Sequence, residues 1–213
     1  MVSRFDDEKT SMIRAGTIDE ISPDEEWLIL DIGFSSMGKT CGLKRNSDGP
    51  VELQFSDARK EICLSISDSK QPVNLVIEAP LSVAFDEQGN PKGRAFEKQG
   101  SKTRYWYCNG GCVVMVAALY LIRAINEMPN SKSVETRLFE GFVSFKADTE
   151  QSSHSRDVEL LRKVIDCPKK NRDKKILTKG KGIKRDENDV LQSAFLVAGV
   201  DAGIPPVIVV SKG

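Results

Sequence analysis

Hydrophobic and polar positions change period several times along the chain, and each change marks an element. Trp27–Phe34 is a nearly unbroken apolar run, rich in Leu and Ile and interrupted by one acid, Asp31. Such a run predicts a strand buried on both faces. Thr40–Arg45 and Val51–Phe55 flank Asn46-Ser47-Asp48-Gly49-Pro50, and an Asp-Gly pair between two alternating segments predicts a hairpin. Asp57–Ser67 carries Ala58, Ile62, Leu64 and Ile66 near helical spacing, with Asp57 placed as a cap. Pro72–Glu78 predicts a second buried strand, closed by Ala79-Pro80. Beyond it, Gly111–Met128 predicts an apolar helix, Val134–Phe145 a strand, and His154–Ile165 an amphipathic helix. Asp186–Val200 predicts a final helix, and Pro205–Val210 an added edge strand.

Strands alternating with helices place the chain in the α/β class. Residues 1–24 read as a polar, acidic N-terminal extension and residues 25–213 as a single domain. Two segments interrupt that domain. Residues 84–108 scatter Gly, Pro, Lys and Arg and read as a long loop, a class of segment that usually carries function. Residues 168–185 form a basic loop.

Composition adds little: 39% hydrophobic and 29% charged residues are ordinary for a soluble globular protein. The formal net charge of zero excludes a global field that would attract nucleic acid or a membrane. Charge is patterned locally instead. Asp6, Asp7, Glu8, Asp19, Glu20, Asp24, Glu25 and Glu26 crowd the start, whereas the basic loop opposes its Lys and Arg with the single acid Asp173. The five cysteines lack paired spacing, and Met1-Val2-Ser3-Arg4-Phe5 begins no apolar signal core, so a reducing cytoplasm is expected. Val113–Ile122 is shorter than the roughly 20 apolar residues that span a bilayer, so no membrane is expected.

Two chemistries compete for the end of the first strand. Gly33-Phe34-Ser35-Ser36-Met37-Gly38-Lys39-Thr40 spells a complete phosphate-loop string, G-x-x-x-x-G-K-T. That motif requires a helix starting at its Lys-Thr, whose backbone N–H groups hold the phosphates. Gly42 and the Asn46–Pro50 run leave barely two turns before a breaker, so nucleotide binding through Gly33–Thr40 stands as the alternative reading.

The other chemistry is carried by acids. Asp31 near the end of the first strand and Glu78 at the end of the later one would lie side by side if those strands were parallel neighbours. A buried, unpaired carboxylate is costly unless something binds it. Asp186 and Asp189, three residues apart on the expected last helix, share a face that can point to the same edge. Converging acids raise one another's pKa unless a cation neutralises them, and hard oxygen donors suit Mg²⁺ or Mn²⁺. Two such ions about 3.5–4 Å apart activate water and stabilise the leaving oxygen of a phosphodiester.

This layout resembles the ribonuclease-H-like superfamily, closest in acid placement to the Holliday-junction resolvase (RuvC) group. Val76-Ile77-Glu78-Ala79-Pro80-Leu81, Leu138-Phe139-Glu140-Gly141-Phe142 and Asp189-Val190-Leu191-Gln192-Ser193-Ala194 are similar to a group of predicted ribonuclease-H-like nucleases, which typically has Asp-Ala-Pro where this chain has Glu-Ala-Pro. The resemblance covers roughly residues 27–200. It implies a mixed sheet, an antiparallel hairpin plus parallel strands, flanked by helices. It also implies a metal-dependent nuclease with Asp31, Glu78, Asp186 and Asp189 as catalytic residues. Asp31, Glu78 and Asp189 would ligate the metal, and Glu140 is an extra ligand by the same resemblance.

The partner so implied is nucleic acid. Lys169, Lys170, Arg172, Lys174, Lys175, Lys179, Lys181, Lys184 and Arg185 run directly into the acid pair and suit salt-dependent contacts to a phosphate backbone. Arg104-Tyr105-Trp106-Tyr107 mixes cation and aromatics as base-stacking platforms do, and equally suits a packing collar. His154 reads as a helix-start residue, with water activation as its functional alternative.

Overall fold

The computed structural model describes residues 12–34, 40–129, 134–143, 153–195 and 202–210. In chain order the main elements are β1 (Ile13–Ala15), β2 (Glu26–Asp31), β3 (Cys41–Arg45), β4 (Val51–Leu53), α1 (Phe55–Asp68) and β5 (Val73–Glu78). The insertion that follows holds β6 (Ser82–Phe85), β7 (Pro91–Lys92), β8 (Lys98–Gln99) and β9 (Lys102–Thr103). Then come α2 (Asn109–Asn126), β10 (Thr136–Val143), α3 (His154–Ile165), α4 (Lys169–Arg172), β11 (Ile176–Leu177), β12 (Val190–Ser193) and β13 (Val207–Val210).

The hairpin forms as its sequence predicts. β2 pairs antiparallel with β3, and β3 with β4. The left-handed residue of its turn is Asn46 (φ 43°) rather than Gly49, and Asn46 Oδ1 accepts the Trp27 N–H at 2.7 Å. Asparagine tolerates this conformation because its short side chain finds such local bonds. The full sheet runs β11-β13-β10-β5-β2-β3-β4, with β1 also on β10. β2, β5, β10 and β13 are parallel; β3, β4 and β11 are antiparallel. The molecule is therefore an α/β fold with a mixed sheet.

Strand phase separates two cores, because successive side chains point to opposite faces. Leu28, Leu30, Leu75, Ile77 and Leu138 face Ala58, Ile62 and Ile66 of α1 and Ala118, Leu121 and Ile122 of α2. Trp27, Ile29, Val76, Phe139 and Val143 face Val158, Leu161, Val164 and Ile165 of α3. At 18 residues, α2 has the expected length but starts two residues earlier, and it buries only one face, leaving Val113, Val116 and Tyr120 exposed. β13 is not an edge strand either: it lies between β10 and β11.

The final helix expected over Asp186–Val200 is overturned for its described part. Val190–Ser193 is a strand, pairing antiparallel with β6, which also pairs with β7. Asp189 accepts the Arg185 and Asp186 N–H groups at 2.9 and 2.8 Å, closing a turn before it. An unpaired β6 would leave its backbone donors and acceptors without ladder partners, and satisfying them outweighs helix propensity. The long loop at 84–108 is likewise built rather than irregular, since β6 to β9 lie in or at the start of it.

Candidate metal centre

β2 and β5 are parallel neighbours in register, with Asp31 opposite Glu78. Both acids share phase with Ile29 and Val76, so both point to the face covered by α3. Helix α3 starts where those strands end. Ser153 caps it, its Oγ accepting the Arg156 N–H, and Asp157 sits in the first turn, 2% exposed. Ligand oxygens of Asp31, Glu78 and Asp157 all lie within 4.8 Å of one another.

Two glycines permit this approach. A Cβ on Gly42 of β3 would stand 2.3 Å from the His154 carbonyl oxygen, and one on Gly33 would stand 2.3 Å from His154 Nε2. Gly33, which reads in sequence as the opening glycine of a phosphate loop, instead makes room for an imidazole. His154 uses that room to place Nδ1 2.7 Å from Asp31 Oδ2.

The cluster is electrostatically loaded. Asp31 is 1% exposed and the Glu78 side chain 11%. Burial pushes the Glu78 carboxyl well above the usual carboxylate range; the charge of Asp31, a hydrogen bond to the Asp31 carboxyl, and Asp157 push the same way, while Arg104 opposes. Arg104 arrives from the insertion: its Nη1 donates to the Val143 carbonyl at 2.6 Å, and its Nη2 lies 3.4 Å from Glu78 Oε1. Glu78 also borders a cleft of about 340 Å³ at the strand ends, walled by the insertion and the start of α2. Burial and mutual repulsion of the three carboxylates favour a proton or a cation among them. Their oxygens could hold a cation, and of the three Glu78 is the one that lines the cleft.

Of the four acids expected to act together, Asp31 and Glu78 meet, but Asp186 and Asp189 do not join them. Lys92 bonds both, at 2.6 Å to Asp189, and the absence of a helix there removes the shared face that was to aim them. Glu140 is no ligand in this arrangement. It lies on the opposite face of β10 from Phe139 and takes a buried bond from Arg94 Nη1 at 2.7 Å and another from the Leu81 N–H. The basic loop also departs from expectation. Arg172 is buried, donating to the Ile165 carbonyl at the far end of α3, about 16 Å along that helix from His154. Lys169 pairs with Asp19, and Lys184 donates to the Glu187 carbonyl. Lys170, Lys174, Lys179, Lys181 and Arg185 are exposed, with Lys175 half-buried.

The phosphate-loop alternative loses its helix, because Thr40 leads into strand β3 and its Oγ1 donates to the Gly33 carbonyl. Lys39 lies outside the described residues. Asp157 escaped the sequence reading as a site residue, and Arg104 was read only as part of a stacking platform or packing collar. The legible signal was Asp157 standing on the apolar stripe of α3, four residues before Leu161. The aromatic run marked Arg104 in sequence, but only the folded insertion brings it to the strand ends beside Glu78. No family model, curated protein or solved structure matches the chain.

Proposed function

We propose that this protein is a divalent-metal-dependent nuclease of ribonuclease-H-like design, hydrolysing phosphodiester bonds of DNA or RNA. The observation that carries the reading is the convergence of Asp31, Glu78 and Asp157 at the carboxyl ends of two parallel strands and the first turn of a helix. The β4-β3-β2-β5-β10 order, with an antiparallel hairpin leading into parallel strands, supports the same design.

Asp31, Glu78 and Asp157 would hold the metal, which when bound would activate water and neutralise charge on the phosphodiester. His154 holds the Asp31 carboxylate in place through Nδ1, as outer partners of metal-ligating carboxylates do. Asp157 takes over as the third carboxylate the role expected of Asp189. Arg104 supplies positive charge at the mouth, and exposed Lys170, Lys174, Lys179, Lys181 and Arg185 would add weak, salt-sensitive backbone contacts.

The test combines Mn²⁺ calorimetry with cleavage of labelled single- and double-stranded DNA and RNA. Asp31→Asn, Glu78→Gln and Asp157→Asn should each abolish Mn²⁺ binding and cut turnover by about 100-fold or more, the scale of losing a transition-state charge contact. Absence of Mn²⁺ binding in the unaltered protein, or full cleavage in Asp157→Asn, would sink the proposal.

A further inference from the structure

We propose that the cleft beside the carboxylates receives one unpaired nucleotide, with Arg104 bound to its phosphate, so that the substrate is single-stranded or frayed rather than intact duplex. This rests on the nuclease reading for its ligand class. The cleft of about 340 Å³ has apolar walls in Ile32, Pro80, Val114 and Phe142 and polar groups in Glu78 and Arg104. A cavity of this size accepts one drug-sized group. A base held in a duplex would have to leave its stack to enter it.

Arg104 makes few hydrogen bonds within the protein, its guanidinium lying over the Phe142 ring 5.4 Å from the centroid. Both of its Nη groups approach the same oxygen, Glu78 Oε1, at 3.4 and 3.5 Å, the long limit of a hydrogen bond. That is not the two-bonded fork a guanidinium makes with a carboxylate. Its one firm bond goes to the Val143 carbonyl, and its side chain is 46% exposed. Arg94, in the same cleft lining, is the contrast: it is fully buried and spends both Nη groups on Ser82, Glu140 and Glu97. Arg94 is a strut, whereas Arg104 keeps donors in reserve at the rim. A cation bound by the carboxylates would take up the Glu78 charge and leave Arg104 free for a phosphate, whose geometry its planar fork matches. Tyr105 also lines the cleft, but its ring is stacked on Tyr107 and set against Gly93, so contact with the base falls to the apolar walls.

The experiment is fluorescence anisotropy with a labelled single-stranded 12-mer and the matching blunt duplex, as DNA and as RNA, in calcium buffer. The same protein samples go to Mn²⁺ calorimetry. Single strands should bind at least about fivefold more tightly than duplex, the least that one base contact contributes. Arg104→Ala should lose about tenfold for single strands while binding Mn²⁺ at least as well as before, and Arg104→Lys should recover part of the loss. A nucleoside monophosphate should displace the probe at concentrations where inorganic phosphate does not. Equal affinity for the two strand forms, or an Arg104→Ala protein that binds single strands normally, overturns the cleft assignment even when Mn²⁺ binds. Loss of Mn²⁺ binding alone speaks against the carboxylate reading instead.

Discussion

Replacing Glu78 by Gln should make the metal-free protein more stable and at the same time useless as a metal binder. Unit charges 4.8 Å apart, the outer limit for oxygens of this cluster, repel by about 3.5 kcal/mol at an effective dielectric of 20. Part of that is relieved in the native state because burial and Asp31 raise the proton affinity of Glu78, and Arg104 offsets a little more. The Arg104 contact is half-exposed and worth about 0–1 kcal/mol. The expected gain for Glu78→Gln is therefore about 1–3 kcal/mol at pH 8 in EDTA, read by urea unfolding.

The pH dependence has a definite sign. Glu78 in the folded state holds its proton above its ordinary value of 4.5. Below that ordinary value both folded and unfolded chains carry the proton and there is no penalty. As pH rises from there through the raised folded value, stability is lost at up to about 1.4 kcal/mol per pH unit, and above it the loss stays constant. Glu78→Gln should flatten this slope. Mn²⁺ at 1,000 times Kd should reverse the ranking, since it adds about 4.1 kcal/mol to the unaltered protein only. A variant no more stable than the original at pH 8, with an unchanged pH slope, would refute the picture of a self-repelling cluster.

Other consequences follow from the packing around the site. Gly42→Ala places its Cβ against the α3 backbone rather than a flexible side chain, so it should cost about 1–3 kcal/mol and weaken Mn²⁺ binding by displacing Asp157. Urea midpoints within about 0.5 kcal/mol of the original would count against that contact. Arg94→Met strands the buried carboxylates Glu97 and Glu140 and should cost about 3–5 kcal/mol, with a loss below about 1 kcal/mol refuting the strut role. Mn²⁺ affinity should rise with pH as Glu78 gives up its proton, measured by calorimetry across that range; a flat profile would show that Glu78 does not ligate.

Periodicity in the sequence was enough for the central strands, the hairpin and helices α1, α2 and α3, because each carries its apolar pattern locally. It was also enough for the two acids that end β2 and β5, since a carboxylate in an apolar run stands out whatever surrounds it. What it could not determine was which third acid joins them. Asp186 and Asp189 had helical spacing on paper, but the unpaired edge of β6 claimed Val190–Ser193 as a strand and Lys92 claimed both acids. Asp157 won the position because Gly33 and Gly42 let the start of α3 lie against the sheet, and Arg104 came from a segment that looked like loop. Local pattern determines which side chains an element buries; which elements meet at one edge is decided only when backbone pairing and close packing are satisfied across the whole chain.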